Sequence, residues 1–554
     1  MPKRGSSQGI GVGKKIIIFG VIAALVASTF ALVYSSRLAE EQQNRQLEEA
    51  KKKQEEMLKL SRCGDGIVRS NSFVKEYMLP VECAMPVGIT VDDKTGIVWL
   101  ASSVTNSIFR LDPSIGRFDE FKIPSQGGPN KEIVNIPLPM WALALDGYGR
   151  LWITDTENNS LWMFNTSMIP EMGTDQTPST EIFKEFKLQK AEPFGTSMPI
   201  DMRISNDRLW FVGVYSKHIG MVDLNTLELV EIPIDVDLNA LGTMDVDMEG
   251  NVWFTALTLG TKGMLYRLDP ESKEIKSYDL PIGSPVGISI DEARGLMWIN
   301  DHGSNLFISF NPSTDEVVRY STSLPARYTN IGLYEDCIKN GSSRLECSGY
   351  PVSLPYWNAM DRKGRVWFNE HQGNTIAVFN PDSATLIEYN IPSYNKAWGN
   401  CEGYNEPCGI ANALRFALQD DGGKVKVWFT EFTENKVGIL DPDAKELPFT
   451  VSVDRDTIKV RNGETARIKV SIEAREPVMV DMLASGSIEA SGRLSKSKLS
   501  AEYDEYTVRF DTQSSKIVTL TLTPNGLESG EYTLTIGARS DEVAYSKVIR
   551  LIVE

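Results

Sequence analysis

The chain has 554 residues, of which 42% are hydrophobic and 24% are charged, and its formal net charge is −17. This length predicts two or more domains, and the composition is that of an ordinary globular protein. The acidic balance excludes nucleic acid as an expected partner, because phosphate groups are bound through clusters of Lys and Arg.

An apolar segment near the N-terminus predicts a membrane anchor. Residues 16–34 (IIIFGVIAALVASTFALVY) carry no charge, and a helix of this length crosses a hydrocarbon core of about 30 Å. Lys14 and Lys15 precede it, so residues 1–15 are expected in the cytoplasm and the rest of this single-pass protein outside the cell membrane. A cleaved signal peptide is the alternative. The long apolar run, without a good cleavage site at its end, favours the anchor.

Residues 35–62 are expected to form a helical stalk. Within this segment, residues 37–60 contain no Gly or Pro and are rich in Glu, Gln, Lys and Leu, which are strong helix formers. At about 1.5 Å per residue, the helix would be roughly 36 Å long. It would hold the body of the protein clear of the membrane.

All six cysteines lie after the predicted anchor. An even number of cysteines in an exported chain predicts disulfide bonds. Several pairings are possible in principle, and we predict the nearest-neighbour set Cys63–Cys83, Cys337–Cys347 and Cys401–Cys408. A metal cluster is less expected, because the sequence contains no CxxC motif.

One tryptophan-centred phrase recurs seven times, for example as GRLWITDTENNSLWMFN and GRVWFNEHQGNTIAVFNP. Its tryptophans are Trp99, Trp152, Trp210, Trp253, Trp298, Trp367 and Trp428. Each copy divides into an apolar strand, a turn, the Trp strand, a third strand and an alternating fourth strand. Repeats of about 40–60 residues built only of short strands predict an all-β fold, here a seven-bladed β-propeller over residues 63–446.

The seventh copy of the phrase ends without a fourth strand. Residues 73–80 (FVKEYMLP) precede the first copy and match LIEYNIP, the fourth strand of the sixth copy. We therefore predict that residues 73–80 complete the last blade and remove an exposed sheet edge. Residues 447–554 lack the phrase but keep alternating short strands, which predicts a C-terminal immunoglobulin-like β-sandwich.

Candidate ligand residues follow two of the Trp strands. Asp301 and Glu370 stand three positions after their tryptophans, and His302 and His371 come next. In a propeller, the loops that leave the Trp strands meet around the central channel, which is the default ligand site. Carboxylates and imidazoles there could contact substrate, bind a divalent cation or transfer protons. The alternative is that they hydrogen-bond the backbone of loops between blades.

The phrase VWFTEFTENKVGILDP resembles the repeat of the streptogramin B lyases, the virginiamycin B lyase family, whose units have the form xWFTExxxNKIGRI. The resemblance covers roughly residues 73–445. It implies a seven-bladed propeller that opens a cyclic depsipeptide antibiotic by elimination across an ester, assisted by Mg²⁺. The repeat is similar, more loosely, to gluconolactonase-like propellers, which implies hydrolysis as a third possibility.

The resemblance also implies a site in the last blade. The family's Glu-Pro-His-Gly phrase corresponds to residues 406–409 (EPCG), which makes Glu406 a metal ligand and puts Cys408 in place of the catalytic His. Glu431 matches the second metal ligand. Tyr356 stands where the family has a substrate-contacting His.

The missing base decides between the functions. Elimination needs a proton acceptor near the acidic C–H, and a thiol such as Cys408 serves only when it is free and ionised. His371 is the other candidate. We therefore expect a propeller that binds an unknown small molecule, peptide or envelope protein at its channel face, and we keep a Mg²⁺-dependent carbon–oxygen lyase as the alternative.

Overall fold

The computed structural model describes the residues of twelve segments. They are residues 37, 42–102, 104–124, 140–169, 180–192, 195–236, 240–257, 262–324, 353–395, 413–492, 494 and 497–554, with residue 180 described by its backbone alone. The chain divides into two compact units, Met1–Lys59 and Leu60–Glu554. In the first unit, residues 42–59 are helical and exposed.

The helices of the described segments include none that is long and apolar enough to cross a membrane. The predicted anchor, residues 16–34, lies outside those segments. Anchoring therefore stays a prediction from the sequence.

The second unit begins with residues 60–63 in a helix and continues almost entirely in strands. The strands up to the third repeat are β1 (Val74–Met78), β2 (Ile89–Val91), β3 (Val98–Ser102), β4 (Ser107–Asp112), β5 (Arg117–Lys122), β6 (Leu143–Leu145), β7 (Arg150–Asp155), β8 (Ser160–Asn165), β9 (Phe183–Lys187), β10 (Pro199–Ser205), β11 (Arg208–Gly213), β12 (His218–Asp223) and β13 (Leu229–Pro233). Two 3₁₀ turns, Thr166–Met168 and Thr180–Ile182, lie between β8 and β9.

The same order of strands continues through the later repeats. These strands are β14 (Ala240–Val246), β15 (Val252–Leu257), β16 (Gly263–Leu268), β17 (Ile275–Leu280), β18 (Pro285–Asp291), β19 (Leu296–Asp301), β20 (Leu306–Asn311), β21 (Glu316–Ser321), β22 (Pro355–Met360), β23 (Val366–Glu370), β24 (Thr375–Asn380), β25 (Thr385–Asn390), β26 (Phe416–Asp421), β27 (Lys424–Glu431) and β28 (Lys436–Leu440).

Repeated antiparallel four-strand sheets give the protein a β-propeller architecture. Strands β2 to β21 form five such sheets in sequence order, and β22 to β25 follow in the same order. In the last sheet of this kind the order is β1-β28-β27-β26, with Val74 opposite Leu440. The first strand of each sheet contacts the first strand of the next from β2 to β22, and β26 contacts β2. A central channel therefore runs between these first strands.

The repeated tryptophans pack in the interior, and all seven are at most 4% exposed. A polar side chain in the first strand of the sheet, or in the turn that follows that strand, accepts the indole N–H in five repeats. The pairs are Trp152–Asp146, Trp253–Asp247, Trp298–Asp291, Trp367–Asp361 and Trp428–Gln419. These repeats therefore share a hydrogen bond to the tryptophan as well as its apolar packing, because a buried indole N–H without an acceptor is costly.

The C-terminal residues form two further layers of sheet. Their strands are β29 (Phe449–Val453), β30 (Thr457–Val460), β31 (Ala466–Ala474), β32 (Val478–Gly486), β33 (Leu499–Tyr503), β34 (Thr507–Phe510), β35 (Ser514–Pro524), β36 (Gly530–Arg539) and β37 (Val543–Val553). One sheet has the order β29-β31-β35-β33, and the other contains β37-β36-β32-β34 with β30 parallel to β37. Alternating buried residues of both sheets belong to one hydrophobic cluster.

The C-terminal strands continue the sheet of the sixth repeat. Strand β37 pairs antiparallel with β25, from Thr385 opposite Lys547 to Tyr389 opposite Val543. The result is a nine-stranded sheet that runs from β22 to the C-terminal strands. Backbone hydrogen bonds therefore cover the outer edge of the sixth propeller sheet, which would otherwise expose unpaired N–H and C=O groups.

A disulfide joins Cys63 to Cys83, on either side of β1. The cysteines of the other two predicted pairs, Cys337–Cys347 and Cys401–Cys408, lie outside the described residues.

Candidate functional site

Two histidines meet at the end of neighbouring Trp strands. His302 follows β19 and His371 follows β23, and His302 Nε2 lies 3.0 Å from His371 Nδ1. Their rings are nearly parallel, at 9°. Tyr356, at the start of β22, packs against both, with ring centroids 4.3 Å from His302 and 5.9 Å from His371. The structure thus brings three of the predicted site residues together.

The two imidazoles are neutral near physiological pH. Burial lowers the pKa of His302 to about 3, with a smaller contribution from His371, and burial lowers the pKa of His371 to about 4. One ring therefore donates an N–H to the other. A general base works best when its pKa lies near the working pH, so His371 is a weak proton acceptor here.

An apolar group of side chains lies beside the histidines at the same end of the channel. We call it the aromatic mouth, and it consists of Met85, Val87, Trp141, Tyr356, Leu414 and Phe432. The indole N–H of Trp141, which is buried, has no acceptor among the described residues. Aromatic surface with few polar groups is typical of ligand sites.

Asp301 and Glu370, the carboxylates that precede the two histidines, interact with residues other than those histidines. Asp301 accepts hydrogen bonds from the N–H of Ser284 at 2.8 Å and from the hydroxyl of Ser304 at 2.7 Å, so it braces its own loop. Glu370, only 2% exposed, accepts from Thr375 and contacts the carboxyl group of Glu388. The carboxyl group of Glu370 is therefore engaged with Thr375 and Glu388.

The described residues do not complete the magnesium site that the family resemblance implies. Glu431 is fully buried, and neither of its carboxylate oxygens has a hydrogen-bond partner there. Burial, followed by the negative charge of Glu76, raises its pKa well above 4.5. The described segments hold no group of three metal-ligating side chains, while Glu406 and Cys408 lie outside them. Glu431 therefore supplies one of the two carboxylates that the resemblance implies for Mg²⁺, and the other lies outside the described residues.

Arg415 is a buried residue of the channel that was not among the predicted site residues. Arg415 Nη2 lies 2.9 Å from Asp201 Oδ1 and donates to the carbonyl of Ile200, and its Nε donates to the carbonyl of Trp141. Its guanidinium also stacks 3.6 Å over the Trp357 ring. The signal available was an arginine within the apolar run ALRFAL.

Beneath the aromatic mouth, the channel holds a cavity of about 470 Å³, the channel cavity. Its lining includes Thr90, Asp201, Arg203, Asp245, Ser289 and Asn358. Asp201 is fully buried, whereas the side chains of Arg203 and Asp245 are 27% and 24% exposed. Arg203 and Asp245 stand near the C-terminal ends of β10 and β14, whereas Tyr356 contacts the histidines from the start of β22. The exposed end of the cavity is therefore at the face opposite the histidines.

No protein-family model and no curated protein matches the chain. Among solved structures, it is similar to virginiamycin B lyase from Staphylococcus aureus, with 18% identity and a TM-score of 0.47 over 66% of this chain and 98% of that one. It is also similar to the Dos1 propeller, with 11% identity and a TM-score of 0.36 over 62% and 75%. A third similar structure is the calcium-binding protein regucalcin from Agrobacterium tumefaciens, with 11% identity and a TM-score of 0.28 over 66% and 93%.

Proposed function

We propose that this chain is a membrane-anchored, extracytoplasmic seven-bladed β-propeller with an immunoglobulin-like C-terminal domain, which binds a small molecule, a peptide or an envelope protein at its channel face. The observation that carries the proposal is the pair of neutral imidazoles, His302 and His371, beside Tyr356 at the aromatic mouth. This arrangement offers apolar area together with a few oriented polar atoms, as binding sites do.

Export of the propeller rests on two features of the chain. The uncharged residues 16–34 follow Lys14 and Lys15, the charge pattern of a segment whose C-terminal side is translocated. The Cys63–Cys83 disulfide is of the kind that persists in oxidising compartments. Protease added to intact cells should therefore digest the propeller and leave an N-terminal tag protected. Protection of the propeller until the cells are lysed would contradict the orientation.

Binding at the channel face is tested with the full-length protein in nanodiscs. The probes are a cyclic depsipeptide of the streptogramin B type and soluble cell-wall muropeptides, with titration calorimetry as the measurement. A probe that binds the wild type should lose at least tenfold in affinity with Tyr356→Ala or His302→Ala. The control is His218→Ala, which changes the third histidine of the chain, on β12. Equal affinity in all variants would show that the probe binds somewhere other than the channel face.

A Mg²⁺-dependent lyase is the second candidate, and the unpartnered carboxylate of Glu431 favours it. The depsipeptide is incubated with the protein and Mg²⁺ and followed by chromatography and mass spectrometry. Elimination opens the ring without changing the mass, whereas hydrolysis of the ester, as a gluconolactonase-like enzyme would perform, adds one water. We expect the intact ring. A ring-opened product of unchanged mass that Glu431→Gln abolishes would establish the lyase instead.

A further inference from the structure

The channel cavity contains buried polar atoms that nothing in the described structure satisfies. Ser289 is 4% exposed and Asn358 is 1% exposed. The Ser289 hydroxyl, the Asn358 Oδ1 atom and the Trp357 indole N–H all lack a hydrogen-bond partner among the described residues. All three residues line the cavity. Because a buried polar group without a partner is costly, these atoms indicate an occupant that both donates and accepts hydrogen bonds.

The charges of the cavity are already balanced. Asp201 Oδ1 lies 2.9 Å from Arg415 and 2.8 Å from Arg203, and Arg203 Nε lies 3.8 Å from Asp245. Two cations thus alternate with two carboxylates across the channel. A ligand with a net charge would have no free counter-charge in this place. The occupant should therefore be uncharged.

Much of the remaining wall is aliphatic. Ile89, Leu143, Ile290, Met360 and Leu418 line the same space, and its volume of about 470 Å³ lies within the range of small-molecule pockets. A molecule with hydroxyl groups on a compact carbon frame matches both the aliphatic wall and the three unsatisfied polar atoms.

We propose that the channel cavity binds an uncharged polyhydroxy compound of monosaccharide size, which enters from the face opposite His302 and His371. Its hydroxyl groups would donate to Asn358 Oδ1, exchange hydrogen bonds with Ser289 Oγ and accept the Trp357 N–H. This site is separate from the aromatic mouth and does not rest on the function proposed for that face.

The test uses the full-length protein in nanodiscs with glucose, myo-inositol and glycerol as separate probes. Titration calorimetry and saturation-transfer NMR measure binding. We expect one or more of the probes to bind, and Ser289→Ala to weaken that binding about fivefold, the effect of one lost hydrogen bond. Thr90→Trp, at the half-buried entrance, should abolish it. Tyr356→Ala, at the other end of the channel, should leave it unchanged.

Three results would overturn the proposal. The first is the absence of binding by every probe. The second is equal affinity in the wild type and in Ser289→Ala, a variant whose small change leaves the fold intact. The third is a crystal soaked with the bound probe in which the cavity holds ordered water only. Loss of depsipeptide binding by Tyr356→Ala with polyol binding retained would separate this site from the aromatic mouth.

Discussion

The guanidinium of Arg415 lies 3.6 Å above the centre of the Trp357 ring. These residues belong to neighbouring propeller sheets, and Arg415 also bonds across the channel to Asp201. The side chain therefore connects first strands that are far apart in the sequence. It lines the channel cavity and also donates to the carbonyl of Trp141, which belongs to the aromatic mouth.

Replacing Arg415 should destabilise the propeller strongly. Arg415→Met keeps much of the side-chain volume but leaves Asp201, which is fully buried, with Arg203 as its remaining ionic partner. Breaking one side of a buried ion pair costs about 3–5 kcal/mol. The free energy of unfolding, measured in urea from the main transition, should fall by about that amount.

A surface pair provides the matched control. Arg455 is 51% exposed and lies 3.1 Å from Asp454, so Arg455→Met should change the free energy by less than about 1 kcal/mol. A similar decrease in the free energy of unfolding in both variants would contradict a special stabilising role for Arg415.

The sequence predicts much of the local structure and little of the long-range contacts. Alternation and turn residues place strands at each Trp phrase, because these signals act over a few residues. Cys63 and Cys83 are the nearest cysteines around β1, so spacing alone points to their bond. Arg415 carries no such local signal, since its partner Asp201 lies in another repeat.

The pairing of β25 with β37 likewise has no local signal in the sequence. Two segments that read as parts of separate domains pair edge to edge, and backbone hydrogen bonding is almost blind to side-chain identity. The position of Glu370 was also not predictable. Its offset from the tryptophan predicts a place at the channel face, whereas its carboxyl group contacts Glu388 near the C-terminal strands.

This carboxyl pair predicts that docking of the C-terminal strands weakens at high pH. Burial, and then the charge of Glu388, raise the pKa of Glu370 well above 4.5. The favourable contribution is complete below 4.5 and is lost as the pH rises through the folded-state pKa. Glu388 accepts the N–H of Ser323 at 2.9 Å, and Arg539 of β36 is the nearby cation, itself beside Asp481.

Hydrogen exchange of the amides in Val543–Lys547 measures the docking. Exchange, corrected for its intrinsic pH dependence, should quicken in the wild type as the pH rises above 4.5 toward the folded-state pKa of Glu370. Glu370→Gln keeps a donor toward Glu388 without a titrating proton, so it should remove this dependence. Glu473→Gln, on an exposed site of β31, is the control. A corrected wild-type profile that does not change with pH would contradict a raised pKa of Glu370 as a factor in docking.

The Cys63–Cys83 disulfide should stabilise the strand that pairs with the last repeat. The bond closes a loop with a sequence separation of 20 residues that includes β1, and such loops contribute about 2–4 kcal/mol. The double variant Cys63→Ala/Cys83→Ala should lose about this amount and should exchange the amides of Val74–Met78 faster. Dithiothreitol should have no further effect on β1 in the variant. Equal protection of β1 in both proteins would contradict a locking role.

The histidine pair should stay neutral well below the pH at which exposed histidines ionise. Because burial lowers the pKa values to about 3 for His302 and about 4 for His371, their contribution to stability is present above 6.5 and is lost as the pH falls toward these values. The chain has three histidines, so imidazole NMR can follow each one, with His218→Gln used for assignment.

We expect the signals of His302 and His371 to keep constant shifts from pH 8 to pH 5.5. A midpoint above pH 6 for either ring would show that it is hydrated and open to proton transfer. In that case His371 would have the pKa of an effective base, and the argument against elimination chemistry from a missing proton acceptor would no longer hold. A flat profile leaves binding as the function that neutral, hydrogen-bonded imidazoles beside Tyr356 serve best.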